Sequence, residues 1–128
     1  MTEVPVAEAP VAEVPVAEAQ AAEARDFAEE YFAAAVDTDH GRHAALFADD
    51  ALVHDDGRSH RGLAAVRRWH GEVPAVVYDL REVTGTAAAC RAVAAVSGDF
   101  PGSPVTLRFT FERDARGKIT LLDIEPAT

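Results

Sequence analysis

The stretch YFAAAVDTDHGRHAALFADDALVHD, residues 31–55, decides how the rest of the chain is read. It opens on helix formers with aromatic residues, breaks at DTDHG, and resumes as HGRHAALFA, a second helix that Asp37 or Asp39 can cap. That helix is expected to end at Leu46 and Phe47, FADD reads as a turn, and ALVHD as a strand delivering Asp55. On this reading Tyr31 from the first helix and Asp55 from the strand meet inside a small pocket, where an acid and a base face one ligand.

Upstream, AEAQAAEARDFAEEYFAAAV places Phe27, Tyr31, Phe32 and Ala35 at helical spacing, so the first helix is expected from about Ala17 or later to Val36. Before it the chain repeats itself, EVPVAEAPVA and then EVPVAEAQAA, with Pro5, Pro10 and Pro15 evenly spaced. Proline at that interval prevents a stable helix, and the segment has no aromatic or leucine with which to build a core. The expected organisation is an acidic, disordered Pro/Ala/Val/Glu tail over residues 1–24 and one folded domain over residues 25–128. The tail is either a solubilising extension or a docking peptide.

Downstream, Asp56-Gly57 separates two short extended runs and signals a tight hairpin turn. LAAVRRWHGE follows with Leu63, Val66 and Trp69-His70 at helical spacing, ended by Gly71 and Pro74. Beyond it come strand signals alone: AVVYDLREVTGT, AAACRAVAAVSGDF, SPVTLRFTFERD and KITLLDIEP. In VTLRFTF, Val105, Leu107, Phe109 and Phe111 form one apolar face, while Thr106, Arg108 and Thr110 form the other. Helices followed by a meander of strands predict an α+β fold, a cone-shaped curved antiparallel sheet wrapped around three helices of the N-terminal part.

Composition narrows the function classes. A chain of 128 residues, 48% hydrophobic and 27% charged, supports one soluble globular domain. Net charge is −10, half of it from the five glutamates of the tail, which has no basic residue. A surface of that sign repels phosphate backbones and anionic lipid, so neither nucleic acid nor membrane is an expected partner. No stretch approaches a membrane span, and MTEVPVAEAP has no basic n-region, so the expected compartment is cytoplasmic. The excess of arginine over lysine, with abundant alanine, fits a GC-rich bacterial genome. Cys90 stands alone and reads as a small buried hydrophobe. His54, Asp56 and His60 crowd one hairpin as two histidines and a carboxylate do around a metal, but strand alternation sends neighbouring side chains to opposite faces. No metal and no cofactor is therefore expected; no phosphate loop or nucleophile elbow is present either.

The order of elements, with the phrases ALFADDALVHDDG and HRGLAAVRRWH, resembles the nuclear transport factor 2-like superfamily, the fold of steroid delta-isomerases and SnoaL-like polyketide cyclases, over about residues 25–125. The first half is similar to the steroid isomerases without a gap. That resemblance puts a general base at Asp55 and an oxyanion-donating tyrosine at Tyr31. The second donor of that family, a carboxylic acid on a late strand, would match a position near Leu107, where this chain has no donor. The resemblance also implies a homodimer formed through the exposed sheet face that carries Thr106, Arg108 and Thr110.

Each candidate also has a plainer structural role. Asp55 under apolar walls suits a base, but a turn aspartate could cap the hairpin instead. Tyr31 could hold an enolate or simply fill the core. His70 could shuttle a proton with Tyr31, or be solvated before Gly71. Phe32, Trp69, Leu107 and Phe109 would hold the carbon skeleton of a small hydrophobic ligand. The functional expectation is a cofactor-independent isomerase, cyclase or dehydratase acting on a hydrophobic carbonyl compound. Its rival is a non-catalytic binding or dimerisation module whose pocket is plugged by side chains.

Overall fold

The computed structural model describes residues 15–127; the extended course expected of the first fourteen residues lies outside them. Helix α1, Val16–Ala35, starts directly after Pro15, so residues 16–24 of the stretch read as tail are helical. Proline fits before a first helical turn because the N–H it lacks would have no partner there. The buried residues Ala24, Phe27, Ala28, Tyr31, Phe32 and Ala34 lie along one stripe of α1. That stripe packs on the sheet: Phe27 meets Phe111 edge to face with ring centroids 5.0 Å apart, and Tyr31 meets Phe111 at 4.9 Å.

Asp39 caps α2, His40–Ala44, accepting from the Gly41 N–H at 3.0 Å, while Asp37 pairs with Arg42 at 3.1 Å. The second helix ends at Ala44, short of the expected Leu46 and Phe47. The sheet takes over there, because the Leu46 carbonyl accepts from the Ile119 N–H at 2.8 Å. FADD is not a turn. It belongs to strand β1, Phe47–Asp55, as a bulge: Phe47 pairs with Ile119, and the ladder resumes at Leu52 opposite Leu121. The extra residues let Phe47 and Ala51 both point into the core while Asp49 and Asp50 stay in water.

At the Asp56-Gly57 hairpin both residues have positive φ, 53° and 75°, which matches the right-handed twist of the strands it joins. It leads into β2, Arg58–Arg61, and then α3, Leu63–Glu72. Three long strands follow, β3 (Val76–Gly85), β4 (Ala89–Gly98) and β5 (Val105–Arg113), and β6 (Ile119–Pro126) ends the fold. At Gly85, φ is +100° and an added Cβ would run into the Ala89 carbonyl oxygen, so only glycine fits the β3–β4 turn.

The strands form one unclosed sheet in the order β2-β1-β6-β5-β4-β3. Neighbours are antiparallel except β1 and β6, which run parallel. Helix α1 lies on β3 and β4, and α3 on β1 and β2, so the helices line the inner side of the curved sheet. The core between them holds Tyr31, Phe111, Ile119, Leu122, Val53 and Val66, all wholly buried. Among the described residues no helix is long and apolar enough to cross a membrane.

Candidate functional site

Sheet and helices do not close completely, and a cavity of about 540 Å³ remains at one end of the core. Its walls follow from strand alternation: Val76 and Tyr78 of β3, Leu107 and Phe109 of β5 and Ile124 of β6 all line it. Tyr31, Asp55, Trp69 and His70 reach it from the other elements, so residues from α1, β1 and α3 converge on one space. The lining is mostly apolar, with few polar groups, as suits a small hydrophobic ligand.

Asp55 is half-buried, and its carboxyl group turns to Trp69 rather than to the hairpin it precedes. The indole N–H donates to Asp55 Oδ2 at 3.0 Å, which fixes the carboxylate while leaving its second oxygen without a protein partner among the described residues. One turn of helix α3 thus supplies both a wall and an orienting bond. His54, the neighbour of Asp55, faces the other way and bonds Ser59 at 2.8 Å.

Tyr31 is only 2% exposed, yet it lines the cavity. Burial holds its phenol well above the ordinary pKa, with smaller contributions from Tyr78 and from the charge of Asp55, so the hydroxyl is neutral. Tyr31 and Asp55 make no bond to each other; both face the open space. The imidazole beside Tyr31 is that of His43, at 3.3 Å through Nε2, where the sequence suggests His70. His43 is itself 1% exposed, and burial first, then His70 and His40, push its pKa down to about 3, so it is a neutral ring. Its Nδ1 has no partner among the described residues, and a buried unpaired N–H costs more than an unpaired acceptor. With its hydrogen on Nε2 the ring donates to the Tyr31 oxygen, and the phenolic hydrogen is then left for the cavity.

His70 lines the cavity too, but its Nε2 donates to the Ala35 carbonyl at 2.9 Å, and its ring stacks on His43 with centroids 3.7 Å apart. Burial lowers its pKa and the Ala35 bond partly restores it. Phe32 stands behind the wall: it is buried against Tyr78 at 4.9 Å and Phe109 at 5.0 Å, and does not line the cavity.

Sequence reasoning missed His43 and Tyr78. Burial, then the charge of Asp55, pushes the Tyr78 phenol up to about 12, so it is a second neutral donor on the cavity wall. The signal for Tyr78 was present, since Val76, Tyr78 and Leu80 alternate with exposed Val77, Asp79 and Arg81 along β3. His43 had no such signal: a five-residue helix has no periodicity to read.

No protein-family model matches the sequence, and neither does any curated protein. Solved structures do. The crystal structure of a "putative polyketide cyclase" from Sinorhizobium meliloti is 35% identical, with a TM-score of 0.73 over 83% of this chain and 99% of that one. A SnoaL-like protein of unknown function from Burkholderia thailandensis matches in fold at 13% identity, with a TM-score of 0.66 over 84% of this chain and 97% of the other. A protein with a ketosteroid isomerase-like fold from Catenulispora acidiphila, solved with trimethylamine, matches at 17% identity and a TM-score of 0.67, over 78% and 84% of the two chains. The similarity to the first extends over nearly its whole length. The chain belongs to the SnoaL-like, ketosteroid isomerase-like proteins of the nuclear transport factor 2-like superfamily.

Proposed function

We propose that this protein is a cofactor-independent acid–base catalyst, an isomerase, cyclase or dehydratase, for a small hydrophobic carbonyl compound. The observation that carries the reading is that Asp55, oriented by Trp69, and the neutral phenol of Tyr31 line one open, mostly apolar cavity. A plugged interior would have supported a non-catalytic module instead. In the proposed step the free oxygen of Asp55 takes a proton from the carbon next to the carbonyl. The C–H electron pair moves into the carbonyl, and the enolate oxygen accepts a hydrogen bond from Tyr31. Asp55 then delivers a proton to carbon after its carboxyl has exchanged with solvent, so heavy water labels the product. His43 and, stacked on it, His70 hold Tyr31 in place; Trp69, Leu107 and Phe109 hold the ligand's skeleton.

The charges around the cavity narrow the ligand further. Asp55, Asp56 and Glu125 line it, and no lysine or arginine does among the described residues. An anionic ligand would be repelled, so the substrate is neutral or cationic. Amine-substituted naphthalenes are expected to bind about tenfold or more tighter than carboxylate-substituted ones at low salt, with the gap narrowing at 1 M salt by calorimetry. Equal affinities would contradict this assignment. The same reading pairs two copies through the outer face of β5, where Thr106 is exposed and Arg108 and Thr110 are half-exposed. Sedimentation should give twice the chain mass, and an Arg108→Glu variant should shift it toward the monomer.

Catalysis is tested by following deuterium uptake at the α-carbon of 2-tetralone and related cyclic ketones in heavy water by NMR. The protein is expected to accelerate uptake, and the acceleration to depend on Asp55. Uptake at the buffer rate for every ketone, or uptake indifferent to Asp55, would refute the proposal.

A further inference from the structure

We infer that the hydroxyl of Tyr78 is a second donor to the ligand's oxygen, acting from β3 on the cavity that Tyr31 and Asp55 share. The inference rests on the acid–base reading above and adds to it a catalytic residue. Four observations carry it. Tyr78 lines the same cavity as Asp55 and Tyr31. Its ring is held by contacts with Phe32 at 4.9 Å and Phe109 at 6.1 Å, so the hydroxyl has a fixed position rather than a sweep of rotamers. Its hydroxyl makes no hydrogen bond to any described residue, whereas the Tyr31 hydroxyl has His43 and the Asp55 carboxylate has Trp69. The remaining walls contribute no neutral donor in its place: Val105, Leu107 and Phe109 of β5 are apolar, and Ile124 of β6 is as well.

A phenol hydroxyl on an apolar wall without a partner gives up a hydrogen bond that water would otherwise supply. A ligand that brings a carbonyl oxygen to it recovers that bond. When the carbonyl becomes an enolate the bond strengthens, because the acceptor now carries charge and the walls around it are mostly apolar. Burial keeps the phenol protonated, as does the neighbouring negative charge of Asp55, so its proton is available across the neutral range. Tyr78 and Tyr31 together then form a two-donor hole for the developing oxyanion. Asp55 faces that hole as the base: its carboxyl takes a proton from carbon, exchanges it with solvent and gives a proton, in heavy water a deuteron, back to carbon.

The test compares Tyr78→Phe, Tyr31→Phe and Asp55→Asn with the unaltered protein in two measurements. The first is deuterium uptake by 2-tetralone. The second is the affinity for 2-naphthol, an oxygen-bearing ring pair that resembles the enol, relative to tetralin, which has the rings without the oxygen. Phenylalanine keeps the contacts with Phe32 and Phe109, so the fold is retained. Tyr78→Phe is expected to slow uptake about 10²–10³-fold and to weaken 2-naphthol about tenfold or more while leaving tetralin unchanged. Equal loss of both ligands would make Tyr78 a wall and nothing more, and overturn the inference. So would an Asp55-dependent uptake that Tyr78→Phe leaves intact. If Asp55→Asn has no effect on uptake, the acid–base reading fails separately, and the naphthol-to-tetralin ratio still decides whether Tyr78 meets the ligand's oxygen.

Discussion

Asp55→Asn is expected to slow deuterium uptake at the α-carbon of an accepted ketone by about 10²–10⁴-fold, the range that a positioned general base contributes. The substitution suits the question because it is nearly isosteric. The asparagine carbonyl oxygen can still accept from the Trp69 indole, now at 3.0 Å from Asp55 Oδ2, so the orientation of the side chain and the packing of α3 on β1 persist. What disappears is the free carboxylate oxygen that takes the proton. Binding of tetralin, which has no acidic carbon and no oxygen, should be unchanged, and the urea midpoint should move little. A parallel loss of uptake, binding and stability would mean that the carboxylate is a structural group. Trp69→Phe offers the milder comparison: the wall stays and only the orienting bond goes, so the rate should fall by less than it does in Asp55→Asn.

Acid should weaken the fold through His43 before it touches the carboxylates. The ring is neutral in the folded protein with a pKa pushed down to about 3, against about 6.5 in an unfolded chain. Between those values the unfolded chain binds a proton that the folded one refuses. The corresponding stability is therefore complete above about pH 6.5 and is lost as pH falls toward 3. At about 1.4 kcal/mol per pH unit, that loss reaches roughly 3–5 kcal/mol, a large share of what a domain of this size has to lose. His70, lowered in the same direction, adds to the loss. Asp37 and Asp114, held below the usual carboxylate range by hydrogen bonds to backbone N–H groups, lose their contributions only below about pH 4. Urea unfolding at pH 7, 5.5 and 4 reads the slope directly. In His43→Phe, which keeps a ring against Phe47 and His70, that slope should flatten. An unaltered slope in the variant would show that the proton goes elsewhere.

Much of this architecture could be read before any coordinates, and the reason is local. The aromatic spacing of α1, the strict alternation of Val105, Leu107, Phe109 and Phe111, and the Asp56-Gly57 turn are each determined by a few adjacent residues. The misreadings share the opposite property. Helix α2 stops early, and FADD becomes a bulged strand, because Ile119, far along the chain, binds the Leu46 carbonyl and pairs with Phe47. No window around residues 40–50 contains that information. The site divides the same way. Asp55 and Tyr31 follow from a stretch read as a unit, whereas the bond from Trp69 to Asp55 and the stack of His43 on His70 exist only because α2 and α3 come together over the sheet. Tyr78 is the intermediate case, placed on the inner face by alternation but given its neighbours by Phe32 and Phe109.

The position of β6 makes it the seam of the sheet: β3, β4 and β5 pair with their neighbours in sequence, while the β1–β2 hairpin is joined to them only through Ile119–Pro126, which lies between Phe47–Asp55 and Val105–Arg113. Asp55 stands on one side of that seam and Tyr78 on the other, and Ile124 of the seam itself lines the cavity between them. A chain cut before Ile119 would keep Tyr31, Asp55 and Tyr78 and lose the strand that holds two of them on opposite walls of one space.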